Sequence, residues 1–234
     1  MKKHAKQFIV ERLQDQGVLP MFSHEDGKTA VKVLDALYAG GVRVVEFTNR
    51  SPQAWSVFKK LKKHAVDSLP DLILGVGTIL KRKEAKAFLS EGAHFIVAPL
   101  IDARVAAYCK RKGILWCPGA STLNEIVQAQ RMGADLVKVF PIAQLGGPPY
   151  LKALLAPCPW LSLMPTGGIM PDEEGLAPWL ALGIKVIGIG SHLFSPELLE
   201  AEQMDVLVAR TEQMLRAVAT IRKNLPNNLD YDKQ

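Results

Sequence analysis

Short, almost continuously apolar segments recur along the chain. Each is opened by a glycine that follows a helix-like stretch and closed by small, polar or proline residues. The phrase stands at Gly41-VRVVEFT, Gly92-AHFIVAP, Gly113-ILWCPG, Gly133-ADLVKVFP and Gly183-IKVIGIGS. Glycine at these places suits the left-handed conformation that ends a helix, so each marks the stop of one helix and the approach to one strand. Two of the intervals are about twice as long as the others, and residues 72–78 and 161–166 supply a strand in each. With Val18–Phe22 the strands number eight. Apolar residues at helical spacing fill the gaps, over 29–39, 52–64, 82–90, 103–112 and 123–132.

Strands that are apolar throughout, rather than alternating, are covered on both faces, which is the habit of parallel sheets in α/β proteins. Eight of them alternating with helices predict a (β/α)8 TIM barrel. The expectation is one domain over 1–234. It has an N-terminal helix within 1–17, a barrel core over 18–194, a C-terminal helical region over 195–223 and a polar tail over 224–234. A doubly wound open sheet is the alternative, but Gly75-Val76-Gly77 lacks the third glycine of a dinucleotide fingerprint.

Within this pattern one position is out of character. Lys138 lies inside Leu136-Val137-Lys138-Val139-Phe140-Pro141, whereas most of the other lysines gather where water can solvate them, as at Lys59, Lys60, Lys62 and Lys63 on a helix-like stretch. Burial disfavours the ammonium, so such a lysine is expected to have a lowered pKa and to serve as a neutral, nucleophilic amine. Glu46 falls on the second strand, and the period of two lets both side chains point inward. A buried ion pair is the bland reading of the two; separate nucleophile and proton-transfer roles are the functional one.

Barrel chemistry belongs at the C-terminal ends of the strands. Arg50 follows the second strand, Thr78 ends the third, Thr166 the seventh, and Gly190-Ser191 the eighth. A guanidinium at Arg50 suits a carboxylate held by two parallel hydrogen bonds. Gly167-Gly168 and Gly190-Ser191, after the last two strands, suit a phosphate bound by backbone amides.

Composition narrows the classes. Hydrophobic residues make up 48% and charged residues 22%, ordinary for a globular protein. No apolar run reaches the length of a membrane span, and the basic start from Met1 to Phe8 has no apolar segment after it, so a cytoplasmic location is expected. The net charge of +6 is not accompanied by basic clusters interleaved with aromatics, so nucleic acid is not expected as a partner. Cys109, Cys117 and Cys158 show no C-x-x-C spacing and are expected to be free and buried. The five histidines form no ligand pattern, so no metal is expected.

Taken together, Gly40-Gly41-Val42-Arg43-Val44-Val45-Glu46-Phe47-Thr48 with Arg50, Gly75-Val76-Gly77-Thr78, Pro118-Gly119-Ala120-Ser121-Thr122, Lys138-Val139-Phe140-Pro141 and Pro165-Thr166-Gly167-Gly168-Ile169 resemble the KDPG/KHG aldolase family. Its members are lysine-dependent aldolases acting on 2-keto-3-deoxy-6-phosphogluconate and 4-hydroxy-2-oxoglutarate. The resemblance implies that Lys138 forms the Schiff base and Glu46 is the general acid and base. It further implies that Arg50 and Thr78 contact the carboxylate, and that Thr166 is a hydroxyl or pocket contact. Pro99 and Phe140 would line the pocket, while Gly167, Gly168, Gly190 and Ser191 would receive the phosphate. A homotrimer with no cofactor, releasing pyruvate from a keto acid, is what the family pattern carries.

Overall fold

The computed structural model describes residues 2–195, 198–199 and 203–225. Helix α1 (Lys2–Gln16) leads into strand β1 (Val18–Phe22), and helices and strands then alternate: α2 (Gly27–Ala39), β2 (Val44–Thr48), α3 (Ala54–Ser68), β3 (Ile73–Gly77), α4 (Arg82–Ser90) and β4 (Phe95–Val97). The second half carries α5 (Ala103–Lys112), β5 (Leu115–Cys117), β6 (Gly119–Ala120), α6 (Leu123–Arg131) and β7 (Val137–Val139). It finishes with α7 (Gly147–Leu155), β8 (Leu163–Pro165), α8 (Glu173–Leu180), β9 (Ile187–Ile189) and α9 (Met204–Asn224). The expected polar tail lies, beyond Leu225, outside the described residues.

Local chemistry accounts for these boundaries. Asp26 caps α2 by accepting from the Thr29 amide, and Asp102 caps α5 by accepting from Arg104 and Val105. Thr122 and Glu125 form a reciprocal capping box at α6. The repeating glycines 41, 92, 113, 133 and 183 all have positive φ, and Gly113 is the left-handed cap of α5, with its amide bonded to the Cys109 and Lys110 carbonyls.

All recorded strand pairs are parallel. Six strands run in the order β5-β4-β3-β2-β1-β9 and three in the order β6-β7-β8. The fifth expected strand is thus two short pieces, β5 and β6, on either side of Pro118. Proline has no N–H to donate to a ladder, although the Pro118 carbonyl still accepts from the Lys138 amide at 2.8 Å. A single bridge, Thr166 to Gly188, links the edge after β8 to β9.

The apolar side chains divide into two cores. The larger packs the helices against the strands. The smaller brings Leu19, Val44, Ile73, Phe95, Leu115, Leu136, Met164 and Val186 together, with Ile9, Val10 and Leu13 of α1 against them. This inner cluster draws one face of successive strands to a common centre, and α1 covers its N-terminal side. Cys109 and Cys117 are free and buried. Cys158 is also free but only partly buried, on the connection from α7 to β8, where the expectation of full burial is not met.

His94, at the approach to β4, tests one feature of this packing. Its Nδ1 accepts from the Leu74 amide at 3.0 Å, and its Nε2 lies 3.3 Å from Lys62 Nζ. Burial first, and the Lys62 charge second, lower its pKa from 6.5 to about 4. The unfolded chain therefore binds a proton that the folded chain refuses between those values. The stability this represents is present above pH 6.5 and is lost as pH falls towards 4, and it is on the order of 1 to 3 kcal/mol. His94→Asn, which keeps an acceptor for the Leu74 amide, is expected to flatten the fall of melting temperature across that window.

Candidate active site

On five of the strands, the residue two positions beyond the inner apolar cluster, on the same strand face, reaches the cavity above it. Val44 is followed at that spacing by Glu46, Leu136 by Lys138, Met164 by Thr166, Val186 by Gly188 and Leu19 by Met21. These five residues line a cavity of about 530 Å³ beyond the apolar floor.

Glu46 is 1% exposed. Its Oε1 accepts from the Thr48 hydroxyl at 3.2 Å, while Oε2 is buried with no hydrogen-bond partner. Burial raises its pKa above the usual carboxylate value, and the facing Lys138 charge, the Thr48 hydrogen bond and the Arg50 charge oppose that rise. Space for this carboxylate comes from Gly77, where an added Cβ would lie 1.6 Å from Oε1. Gly77→Ala is expected to leave a folded chain but to displace the Glu46 carboxylate, and to remove with it whatever acid/base contribution Glu46 makes to turnover, roughly 100-fold or more for such a group. Steady-state kinetics beside a melting curve would check it.

Lys138 is 9% exposed and sits on β7 between Gly119 of β6 and Met164 of β8. Its Nζ lies 3.8 Å from Met21 Sδ and 5.2 Å from the centre of the Phe140 ring. With Glu46 Oε2 unpartnered, the amine and the carboxylate share the cavity without being locked into a direct hydrogen-bonded pair. That leaves each free to meet a ligand.

The other residues singled out from the sequence also line this cavity. Arg50 stands exposed on the turn between β2 and α3. Thr78, just past β3, has a φ of 56°, a region that β-branched residues seldom occupy and that costs on the order of 1 to 3 kcal/mol. Pro99 follows β4, and its carbonyl is so close to Gly119 that a Cβ there would lie 2.2 Å from it. Phe140 follows β7 and is 37% exposed. Thr166 is buried and donates to the Met164 carbonyl at 3.2 Å. Gly167 and Gly168 have φ of 100° and 79°, turning their backbone beside Gly190 and Ser191.

Several lining residues were not singled out from the sequence, among them Met21, Thr48, His24 and His192. Thr48 could have been found from the period of two that leads on from Glu46. Met21 could not, because its place opposite Glu46 is a matter of strand register. Among the described residues no group of three or more His, Cys, Asp or Glu stands together as a metal site, and no described helix is long and apolar enough to cross a membrane.

A buried amine and a buried carboxylate with one unpartnered oxygen in one cavity suit covalent chemistry on a carbonyl compound, and comparison with known proteins points the same way. The 2-dehydro-3-deoxy-phosphogluconate aldolase of Treponema pallidum is 30% identical over 213 residues, covering 91% of this chain and 99% of that one. A crystal structure of KDPG aldolase from Legionella pneumophila, with pyruvate captured as a covalent carbinolamine, superposes with a TM-score of 0.77 at 25% identity. It covers 86% of this chain and 95% of that one. The 2-keto-3-deoxy-6-phosphogluconate aldolase of Zymomonas mobilis, solved with 3-phosphoglycerate, matches with a TM-score of 0.76 at 25% identity, over 88% and 95% of the two chains. The family model for KDPG and KHG aldolase matches residues 9–214, and the chain belongs to that family.

Proposed function

We propose that this chain is a class I aldolase that cleaves 2-keto-3-deoxy-6-phosphogluconate, 4-hydroxy-2-oxoglutarate or both. The products are pyruvate and an aldehyde, glyceraldehyde 3-phosphate or glyoxylate. The observation that carries the reading is Lys138 sharing one cavity with a buried Glu46 whose Oε2 has no hydrogen-bond partner.

The free amine of Lys138 attacks the keto carbon, and loss of water from the resulting carbinolamine gives a protonated imine. That cation is an electron sink. Glu46 takes the proton of the C4 hydroxyl, the bond between C3 and C4 breaks, and its electron pair settles in an enamine as the aldehyde leaves. Protonation at C3 and hydrolysis of the imine release pyruvate and restore the amine. The raised pKa of Glu46 makes it a better proton acceptor than an ordinary carboxylate, and its burial keeps it from being solvated out of that role.

Arg50 and the Thr78 hydroxyl hold the substrate carboxylate, Thr166 contacts a hydroxyl, and Pro99 and Phe140 wall the site. Amides around Gly167, Gly168, Gly190 and Ser191 receive the terminal phosphate. We also read the two sheets as one closed (β/α)8 barrel within a single domain, supported by the short step across Pro118 and the bridge from Thr166 to Gly188. Family resemblance further supports a homotrimer, which light scattering on the purified chain would test, and we place it in the cytoplasm on the pattern of its sequence.

Borohydride reduction in the presence of pyruvate tests the mechanism. Peptide mapping should place a stable adduct on Lys138. A barrel enzyme using the same groups without a covalent bond, or a sugar-phosphate sensor without turnover, would yield none.

A further inference from the structure

We infer that His24 is a specificity-determining residue, donating a hydrogen bond from Nε2 to the terminal anionic group on the aldehyde-forming half of the substrate. The inference rests on the aldolase reading above. His24 lies on the connection from β1 to α2 and lines the same cavity as Lys138 and Glu46. Strand β1 pairs with β9, Pro20 opposite Ile189. The chain leaving β1 through Ser23 and His24 therefore runs beside the chain leaving β9 through Gly190 and Ser191. This is the wall to which the far end of the substrate is assigned.

The orientation of the ring is set by the backbone. The Asp26 amide donates to His24 Nδ1 at 3.0 Å. An amide does not surrender its proton, so Nδ1 presents its lone pair and the proton of the neutral imidazole belongs on Nε2. The Asp26 carbonyl lies 3.1 Å from the same nitrogen, but a proton on Nδ1 would point against the Asp26 N–H, so the tautomer assigned from the amide contact leaves Nε2 as the donor. The anchor is itself held, because the Asp26 carboxylate caps α2 through the Thr29 amide at 2.7 Å and its hydroxyl at 3.0 Å. A donor oriented before substrate arrives loses little freedom on binding.

The cavity leaves it that task. Of the ionisable groups lining it, Lys138 and Arg50 serve the keto acid end and Glu46 the breaking bond in the proposed reaction, which leaves His24 and His192. His24 is the one whose donor nitrogen is defined by a backbone contact. Binding energy gathered on a non-reacting end of a substrate can be used to hold the reacting bond in place.

The test compares His24→Ala, His24→Asn and His24→Gln with the unaltered chain. The readouts are cleavage of 2-keto-3-deoxy-6-phosphogluconate, cleavage of 4-hydroxy-2-oxoglutarate, cleavage of the unphosphorylated 2-keto-3-deoxygluconate, and exchange of the pyruvate methyl protons. Loss of a hydrogen bond to a charged group should lower kcat/KM for an anion-ended substrate roughly 10- to 100-fold in the alanine variant. The unphosphorylated compound should change less than about threefold on the same reasoning, and pyruvate exchange should stay at its original rate. Glutamine, whose amide nitrogen reaches about as far as Nε2, should restore most of the loss, and asparagine should not. A loss confined to the phosphorylated substrate names phosphate as the partner; a loss on hydroxyoxoglutarate names carboxylate.

Unchanged kcat/KM on both anion-ended substrates would overturn the inference, as would an equal loss on the unphosphorylated compound. So would a glutamine variant no better than alanine, or a parallel loss of pyruvate exchange, which would mark a structural role. Failure of the unaltered chain to exchange pyruvate protons would instead sink the aldolase reading, and this inference with it.

Discussion

Lys138→Ala is expected to abolish both the borohydride-trapped pyruvate adduct and aldol cleavage. The amine is the only atom in the proposed reaction that bonds covalently to substrate, and neither Arg50 nor Thr78 can supply an electron sink in its place. Binding alone should survive, because the residues proposed to hold the carboxylate and the phosphate follow other strands. Lys138→Met fills more of the same space and guards against a trivial loss of folding. If either folded variant still gave a reducible adduct with pyruvate, Lys138 would not be the nucleophile. Calorimetric binding of the phosphorylated substrate to the methionine variant would show that the cavity is intact.

Glu46→Gln should lower cleavage by about 100- to 10,000-fold, the range typical of a positioned acid or base, while pyruvate remains trappable on Lys138. The split between the two readouts is the informative part: equal loss of trapping would mean that Glu46 shapes the site rather than moving protons. The same variant should alter stability in a defined direction. Burial raises the folded-state pKa of Glu46, so the folded chain holds this proton more tightly than the unfolded chain does. The stability contributed is present below the unfolded pKa, near 4.3, and is lost as pH rises through the folded value. Melting temperatures of Glu46→Gln and the unaltered chain should therefore diverge in favour of the variant as pH rises from about 4. A constant difference across that range would contradict a raised pKa.

How much of this was legible in advance differs by residue. Lys138 and Glu46 stood out because a charge in an apolar, strand-like run has no solvent to face. The repeating glycines could be read because a positive φ is open to glycine at little cost, and the observed backbone is positive at Gly41, Gly92, Gly113, Gly133 and Gly183. Pro118 was visible too, yet its consequence was not: the interruption between β5 and β6 depends on which backbone groups lie opposite. The strained Thr78 gave no warning, since a β-branched residue is an ordinary strand former and its φ of 56° is imposed by the surrounding chain.

His24 and His192 carry little local signal for a different reason. On loops, a histidine is unremarkable, and nothing local says which nitrogen is free. The Asp26 contact that directs the His24 ring lies two residues away in the chain, but its meaning depends on the cavity that β1 and β9 build together.

From the sequence alone came the alternation of helices and strands, the likeness to a family, and the suspicion attached to one lysine and one glutamate. All of these are carried by residue type and local spacing. The tertiary structure decided what those residues meet: Gly77 leaving room for the Glu46 carboxylate, Met21 beside the Lys138 amine, and a shared cavity above an apolar floor. Such contacts join strands far apart in the chain, and their distances follow from register and from the packing of side chains between strands, which no local pattern encodes.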